Sequence, residues 1–385
     1  MTVYILLFIV LLVSAISYNG NVKNNNQKKV FYFLCFALAF VGGFRYRIGI
    51  DTIRYMNAFE NTPKIFELSS YSLESISQPI WFLINSLSKT IFDNFIVVQI
   101  FHSLVVNLLI GRFIIKTCNK PFWALLVYFC LHWSYFNFEI MRESLCVALY
   151  LNIFLIYMDT RNIKRFTLYS IPIIFIHWFA FVPILITIIS HFVSKQWFLI
   201  ISIFLAIILY FFLDANAMNF IMEFANYFMG DSSRVERIEM YLESDSLGFI
   251  SVSIFGLLFI ILTQVLPPLI VASNRTINSS VAKMLIIYAC IVLIRAKLLI
   301  VSRFLNYWDI TIVVYLINEI TTSKHLVKLY LQCVMVYIVL DGMHSFYTPT
   351  TDDNAKYDSR YIPYSSHFTK ELNPQRESLY RYKGL

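Results

Sequence analysis

Apolar stretches of about 20 residues, enough to carry a helix across roughly 30 Å of hydrocarbon, recur along most of the chain. They run near 2–18, 29–44, 95–115, 121–137, 140–158, 167–190, 196–213, 248–271, 281–301, 303–320 and 326–345, with a weaker one near 76–92. Hydrocarbon offers a backbone no hydrogen-bond partner, so only helices and closed barrels cross it. Barrel strands read as alternating segments of about ten residues, and these runs are longer and unbroken. The chain is therefore expected to fold as an all-α, polytopic transmembrane helical bundle of about 10–12 membrane segments. Charge supports this: only 14% of the 385 residues are Asp, Glu, Lys or Arg, well under the ~25% of a soluble domain. The expected organisation is one integral membrane domain over 1–345, an external loop near 214–247, and a polar, tyrosine-containing external tail over 346–385.

Loop charges orient such a bundle, because short loops rich in Lys and Arg stay in the cytoplasm. The first segment lacks a basic start and a small-residue cleavage site, so it reads as a retained helix. Its charges follow it, at Lys23, Lys28 and Lys29, which places the N-terminus outside. Loops holding Arg112, Lys116 and Lys120, then Arg161, Lys164 and Arg165, then Arg275 and Lys283, then Lys324 and Lys328 read as cytoplasmic. The stretch 214–248, with seven acidic residues against two arginines, suits the outside. Two counts conflict with this scheme. An even number of windows separates Arg45 from Lys116, which resolves if 76–92, interrupted by Ser77, Gln78, Pro79, Asn85 and Lys89, lies in the interface or re-enters. The span 167–213 also holds an even number, and one long crossing plus a half-helix around Pro172 and Pro183 is one repair.

Ionisable groups are costly inside a span and are retained mainly where they pair or line a polar cavity. In GGFRYRIGIDTIRYMNAFE, Arg45, Arg47, Asp51 and Arg54 gather where a hydrophobic run stops. If that segment is helical, Arg47, Asp51 and Arg54 share one face at i, i+4 and i+7. Glu139, Arg142 and Glu143 open a helix in NFEIMRESLCVALYLNIF, Arg295, Lys297 and Arg303 flank a break in IVLIRAKLLIVSRFLNYWDI, and His177 sits mid-span in IPIIFIHWFAFVPIL. On the topology above, Arg142, Arg295, Lys297 and Arg303 lie on the side of Arg45. Cations converging on one outer cavity imply an anionic ligand, and the planar guanidinium fork suits phosphate oxygens. Plainer roles stay open beside this one: Arg54 and Lys297 snorkelling to headgroups, Arg142 paired with Glu139, Asp51 paired with Arg47, and His177 bonded to a backbone carbonyl.

Other chemistries find less support. The six cysteines form no CxxC pair and the seven histidines no HExxH pattern, so no metal site is expected. There is no phosphate-loop or dinucleotide glycine fingerprint, so no cofactor is expected. The net charge of +8 is spread over membrane loops and does not form the basic face of a nucleic-acid binder.

The spacing in FRYRIGIDTIRY resembles the signature of the EpsG-like polysaccharide polymerases: an aromatic-flanked Arg, then Gly, one residue, Asp, and Tyr, here Arg45, Gly49, Asp51 and Tyr55. The family's later helix-opening arginine resembles Arg142 in MRESLCVAL, and its histidine before an apolar run resembles His177 in FIHWFAFVPIL. Its late Ser-Arg followed by aromatics resembles Ser302, Arg303 and Tyr307 in SRFLNYW, so that order and spacing match over roughly 45–310. The departures are Ile50 where the family often has Thr, Ile53 in place of a polar residue, and Trp178 where a small residue is commoner.

This resemblance implies a repeat-unit polymerase of the O-antigen or capsule type, a metal-independent glycosyltransferase of the bacterial inner membrane whose site faces the periplasm. Such enzymes move a growing glycan from one undecaprenyl diphosphate carrier to the sugar of another carrier-linked repeat unit. The implied partners are that lipid-linked oligosaccharide, the membrane lipids and a chain-length regulator protein. Arg45, Arg142 and Arg303 would stabilise the diphosphate, with Arg47, Arg54, Tyr55, Glu139, Arg295, Lys297 and Tyr307 around the substrate. Asp51 or His177 would take the acceptor's proton. A flippase for the same lipid-linked substrate and an O-antigen ligase would share the cationic cavity. A flippase usually betrays itself by internal repeats, and this sequence shows none.

Overall fold

Short polar loops between the apolar runs carry the signals that start each helix. A computed structural model describes residues 2–70, 78–212, 253–298, 301–347, 351–352, 355–356 and 360–382. The expected loop at 214–247 lies outside the described residues. After α1 (Thr2–Ser17), α2 (Asn25–Gly43) opens where the Asn24 side chain accepts from the Gln27 amide at 2.9 Å. α3 (Ile50–Glu60) follows, then Pro79 opens α4 (Pro79–Phe92) and Asn94 caps α5 (Phe95–Thr117). Each device answers the free amides of a first turn, by supplying an acceptor or a residue with no amide to satisfy. α6 (Pro121–Tyr128) runs through a π-helical turn (Phe129–Trp133) into α7 (Ser134–Phe138), followed by α8 (Met141–Thr160) and α9 (Ile163–Ile174).

Next come α10 (Phe181–Phe192), α11 (Lys195–Phe212), α12 (Ile254–Ile260), a second π-helical turn (Ile261–Val265) and α13 (Leu266–Ser273). α14 (Ser279–Arg295), α15 (Ser302–Thr322) and α16 (His325–Tyr347) complete the apolar part. A small hairpin, β1 (Thr351–Asp352) and β2 (Ala355–Lys356), precedes α17 (Pro374–Tyr382). The chain is a polytopic helical membrane bundle. Among the described residues, Phe95–Thr117, Met141–Thr160, Ile254–Ser273 and His325–His344 are long and apolar enough to cross on their own.

Two of the expected windows take a different form. The window at 76–92 is α4, whose 14 residues fall short of the ~20 that a crossing needs. The window at 167–190 is not one span: α9 ends at Ile174 and α10 begins at Phe181, with a 3-10 turn at Trp178–Ala180 between them. Pro172, in the last turn of α9, lacks an amide and crowds the preceding turn, so the helix stops just beyond it. His177 consequently stands in the break and not mid-span.

The chain divides into two compact units, Met1–Ile184 with Val313–Leu385, and Leu185–Ile312. In the first unit α8 is the hub, with 72% of its apolar window buried against 17% for His325–His344. Polar side chains inside this unit match one another. Ser103 Oγ and Asn107 Nδ2, both on α5, donate to Asn137 Oδ1 at 2.8 and 2.9 Å, and the Tyr128 hydroxyl donates to Asn107 Oδ1 at 3.1 Å. Asn137 Nδ2 donates in turn to the Trp133 carbonyl at 2.7 Å, at the end of the first π-helical turn. Bonds of this kind contribute about 0.6 kcal/mol on average in a membrane, and they fix α5 against α6 and α7. In the second unit, Lys283 Nζ donates to the Ser190 and Val193 carbonyls at the end of α10, and Lys195 Nζ reaches the Ala272 carbonyl near the end of α13 at 2.5 Å. Cations are favourable at such carbonyl-rich ends.

Candidate functional site

Residues 44–49 turn the chain sharply between α2 and α3. Gly49 takes φ +95°, and a Cβ there would lie 2.5 Å from the Phe138 carbonyl oxygen, so neither the backbone nor the space admits a side chain. The turn lets α3 begin at Ile50 with its first amides facing Glu139. Ile50 N and Asp51 N donate to the two carboxylate oxygens at 3.3 and 3.0 Å. A carboxylate at a helix N-terminus satisfies free amides and meets the positive end of the helix dipole. The other partner of Glu139 is Arg360, 3.7 Å away. Glu139 therefore secures α3, and Arg142, its open partner in the sequence, turns elsewhere.

The expected shared face of Arg47, Asp51 and Arg54 does not form, because the helix starts only at Ile50 and Arg47 lies in the loop at φ +51°. The carboxylate that takes Arg47 is that of Glu377, not Asp51, through Nε and Nη2 at 2.9 and 2.7 Å. Asp51 pairs with Arg54 at 3.3 Å, and the Arg54 side chain is 57% exposed.

Arg45 is 0% exposed. Its Nη1 donates to the Gly42 carbonyl, its Nη2 to Thr52 Oγ1 at 3.1 Å and to Met141 Sδ at 3.2 Å, and its guanidinium lies 5.2 Å from the centre of the Phe138 ring. Every one of these partners is neutral. Among the described residues Arg45 has no ion pair, and its Nε has no acceptor. Burial pulls the guanidinium down to about 10, opposed by Tyr364 and Glu139, which leaves it charged at neutral pH.

Arg142, half-buried in the first turn of α8, donates from Nη1 to Gln78 Oε1 at 2.8 Å and lies 5.3 Å from the centre of the Tyr55 ring. It too has no ion pair among the described residues, and its Nε has no acceptor. Tyr55 stands one turn after Asp51 and packs against Trp81 of α4, ring centres 5.7 Å apart. Burial raises the Tyr55 phenol above its ordinary value, and the Arg142 charge opposes that rise. His177, 8% exposed, comes near the same place, since the Phe175 carbonyl two residues before it accepts from Ile80 N at the start of α4 at 3.2 Å.

The C-terminal segment is the part that sequence reasoning missed. Gly49 N donates to the Arg360 carbonyl at 3.1 Å, Tyr46 N to the Ser365 carbonyl at 2.9 Å, and His367 N to the Phe44 carbonyl at 2.8 Å. The Tyr380 hydroxyl donates to the Arg47 carbonyl at 2.8 Å. Together with the Arg47–Glu377 pair, these bonds clamp the tail over the loop that holds Arg45. One signal was available: in NPQRES the Asn373 side chain accepts from Arg376 N at 3.0 Å and Pro374 opens the helix, a start pattern that marks α17. Its docking place was not legible, because Arg47 and Glu377 are 330 residues apart.

This clamp should be sensitive to acid. His367 Nε2 lies 3.2 Å from Gln99 Oε1, and burial first, then Lys370 and Arg45, hold its imidazole below its ordinary pKa. The docked tail therefore binds fewer protons than the free one. Its docking is complete above the ordinary value of about 6.5 and is lost progressively as pH falls from there towards the depressed value. Corrected for intrinsic rates, amide hydrogen exchange across 360–382 should be faster at about pH 5.5 than at about pH 7.5, and equal protection at both would remove His367 from the docking.

The other predicted residues lie in the second unit. Arg295, in the last turn of α14, donates to Gln264 Oε1 at 2.5 Å, and Gln264 is presented by the second π-helical turn. Lys297 Nζ donates to the Tyr210 carbonyl at 2.8 Å and lies 5.6 Å from that ring's centre. Arg303 is half-buried in the first turn of α15, and Tyr307, one turn on, is fully buried. Among the described residues no three His, Cys, Asp or Glu side chains are placed to hold a metal ion.

A family model described as the EpsG family matches residues 28–366, which takes in Arg45, Arg142, His177 and Arg303 and ends before Arg376 and Glu377. No curated protein and no solved structure matches the chain.

Proposed function

Because the chain belongs to the EpsG family, we propose that it is a repeat-unit polymerase of a bacterial surface polysaccharide, working at the outer face of the inner membrane on undecaprenyl diphosphate-linked oligosaccharides. One observation carries this reading: Arg45 and Arg142 keep their charge beside neutral partners, whereas Arg47, Arg54 and Arg360 are each given a carboxylate. A buried charge without an ion pair, which both arginines lack among the described residues, costs several kcal/mol. A lipid diphosphate would supply that negative charge at the half-buried Arg142, in the geometry that guanidinium forks match.

In the reaction the acceptor hydroxyl oxygen bonds to the anomeric carbon of the donor glycan while the bond from that carbon to the diphosphate oxygen breaks. The electron pair leaves with the diphosphate, where Arg142 stabilises the growing charge by about 3–4 kcal/mol. Arg45, sealed beneath the tail, acts through its field and by holding Gly42, Thr52 and Met141 together. The hydroxyl proton passes to Asp51, in the first turn of α3, or to His177, in the break before α10. Glu139 holds the start of α3, and with it Asp51 and Tyr55, in place.

A deletion strain of a Gram-negative source tests the reaction class. Loss of a polymerase should leave lipid A-core carrying a single repeat unit on a glycan gel. Loss of a flippase or a ligase would leave none, and that result would overturn the proposal.

A further inference from the structure

A cavity of about 480 Å³ opens where the ends of α1 and α15 meet the starts of α6 and α16. Its volume is in the range of small-molecule sites, and its walls are tied together. Gly20, at φ +70°, lets the chain after α1 lie flat on α6, where a Cβ would come 2.3 Å from the Trp123 ring. Phe122 N donates to the Gly20 carbonyl at 3.2 Å, and Lys120 Nζ to the Asn19 carbonyl at 2.7 Å. On the other side Asn119 N donates to Asn318 Oδ1 at 2.7 Å, and Asn318 Nδ2 to the Thr117 carbonyl at 2.8 Å, joining the start of α6 to the end of α15.

The lining is divided. Lys120, Lys328 and Gln332 are polar, while Trp123, Val127 and Met335 are apolar. The Glu319 carboxylate, at the same end of α15, accepts from the Ser323 hydroxyl and is not among the side chains that line the cavity. The connecting segments carry Lys23 after α1 and Lys324 between α15 and α16, with Lys28 and Lys29 at the start of α2 and Lys116 in the last turn of α5. An anion drawn by this charge would meet two cations at the mouth and an apolar wall behind them, at the end of a membrane helix bundle.

We propose that this cavity binds an anionic glycerophospholipid of the adjacent leaflet, with its phosphate between Lys120 and Lys328 and an acyl chain along Trp123, Val127 and Met335. Basic pockets between helices at the cytoplasmic boundary select lipid headgroups in this way, and the apolar wall favours a lipid over a free phosphate. The site is separate from the 44–49 loop and does not depend on the reaction assigned to it.

The test is native mass spectrometry of the full-length protein in detergent with added phosphatidylglycerol or phosphatidylcholine of matched chains. Phosphatidylglycerol should be retained more tightly. Lys120→Gln, which keeps a donor for Asn19, and Lys328→Gln should each weaken its retention about fivefold, and the pair about thirtyfold, with phosphatidylcholine unaffected. Thr321→Trp, which fills the cavity but keeps both lysines, should weaken phosphatidylglycerol as much as the double variant. Where that variant does not accumulate, Gln332→Glu on the exposed side of α16 should do the same by repulsion. Equal retention of the two lipids by the unaltered protein would overturn the proposal. So would undiminished phosphatidylglycerol retention by the lysine pair variant, or by the cavity variant used.

Discussion

Arg142→Lys is expected to abolish the long polymer ladder, a loss on the order of 10²–10³ in rate, while the protein still inserts and accumulates. Lysine keeps the charge but has no planar fork. It cannot at once donate to Gln78, lie over Tyr55 and offer a second donor to a diphosphate. Arg45→Lys should be as damaging for a different reason, since its guanidinium ties the Gly42 carbonyl, Thr52 and Met141 together in a site closed to water. Arg54→Lys is the control, because an exposed side chain paired only within its own turn needs no more than a cationic tip. Ladder length at matched membrane abundance is the measurement, and normal ladders from Arg142→Lys would make that arginine structural and leave the polymerase reading without its direct contact.

Reversing the clamp should have the next largest effect. Arg47→Glu and Glu377→Arg each place like charges together at a half-buried contact, where the native pair is bidentate. Each should release α17, expose the loop around Arg45 and shorten the polymer by roughly tenfold, the factor that about 1.4 kcal/mol of lost docking carries. The double reversal should restore much of the ladder, because the interaction energy belongs to the pair and not to either residue. If the double variant stays as defective as the singles, the docking of the tail is not what Arg47 contributes. Residues beyond 366 lie outside the family match, so such a rescue would show that a segment beyond that match completes the site.

The boundary between what could and could not be read in advance follows the range of the forces involved. Apolar runs announced the helical membrane bundle because burial in hydrocarbon acts on each segment separately, whatever its neighbours. The resemblance around Arg45, Gly49, Asp51 and Tyr55 was likewise local, and the family match agrees with it. Helix breaks were less legible: Pro172 and Pro183 marked the right region, but His177 seemed mid-span, since a broken apolar run and a continuous one share the same hydropathy. The pairings left open on nearness in sequence are not the ones the fold makes for Arg47 and Arg142. Asp51 for Arg47 and Glu139 for Arg142 gave way to Glu377 and Gln78. Ion pairs depend on which helix ends meet, and that is decided when the bundle packs. The sequence alone determined that this chain lives in a membrane and which arginines were worth watching. Only the tertiary structure decided which of them have an ion pair among the described residues, because a counter-charge can be supplied from any point along 385 residues.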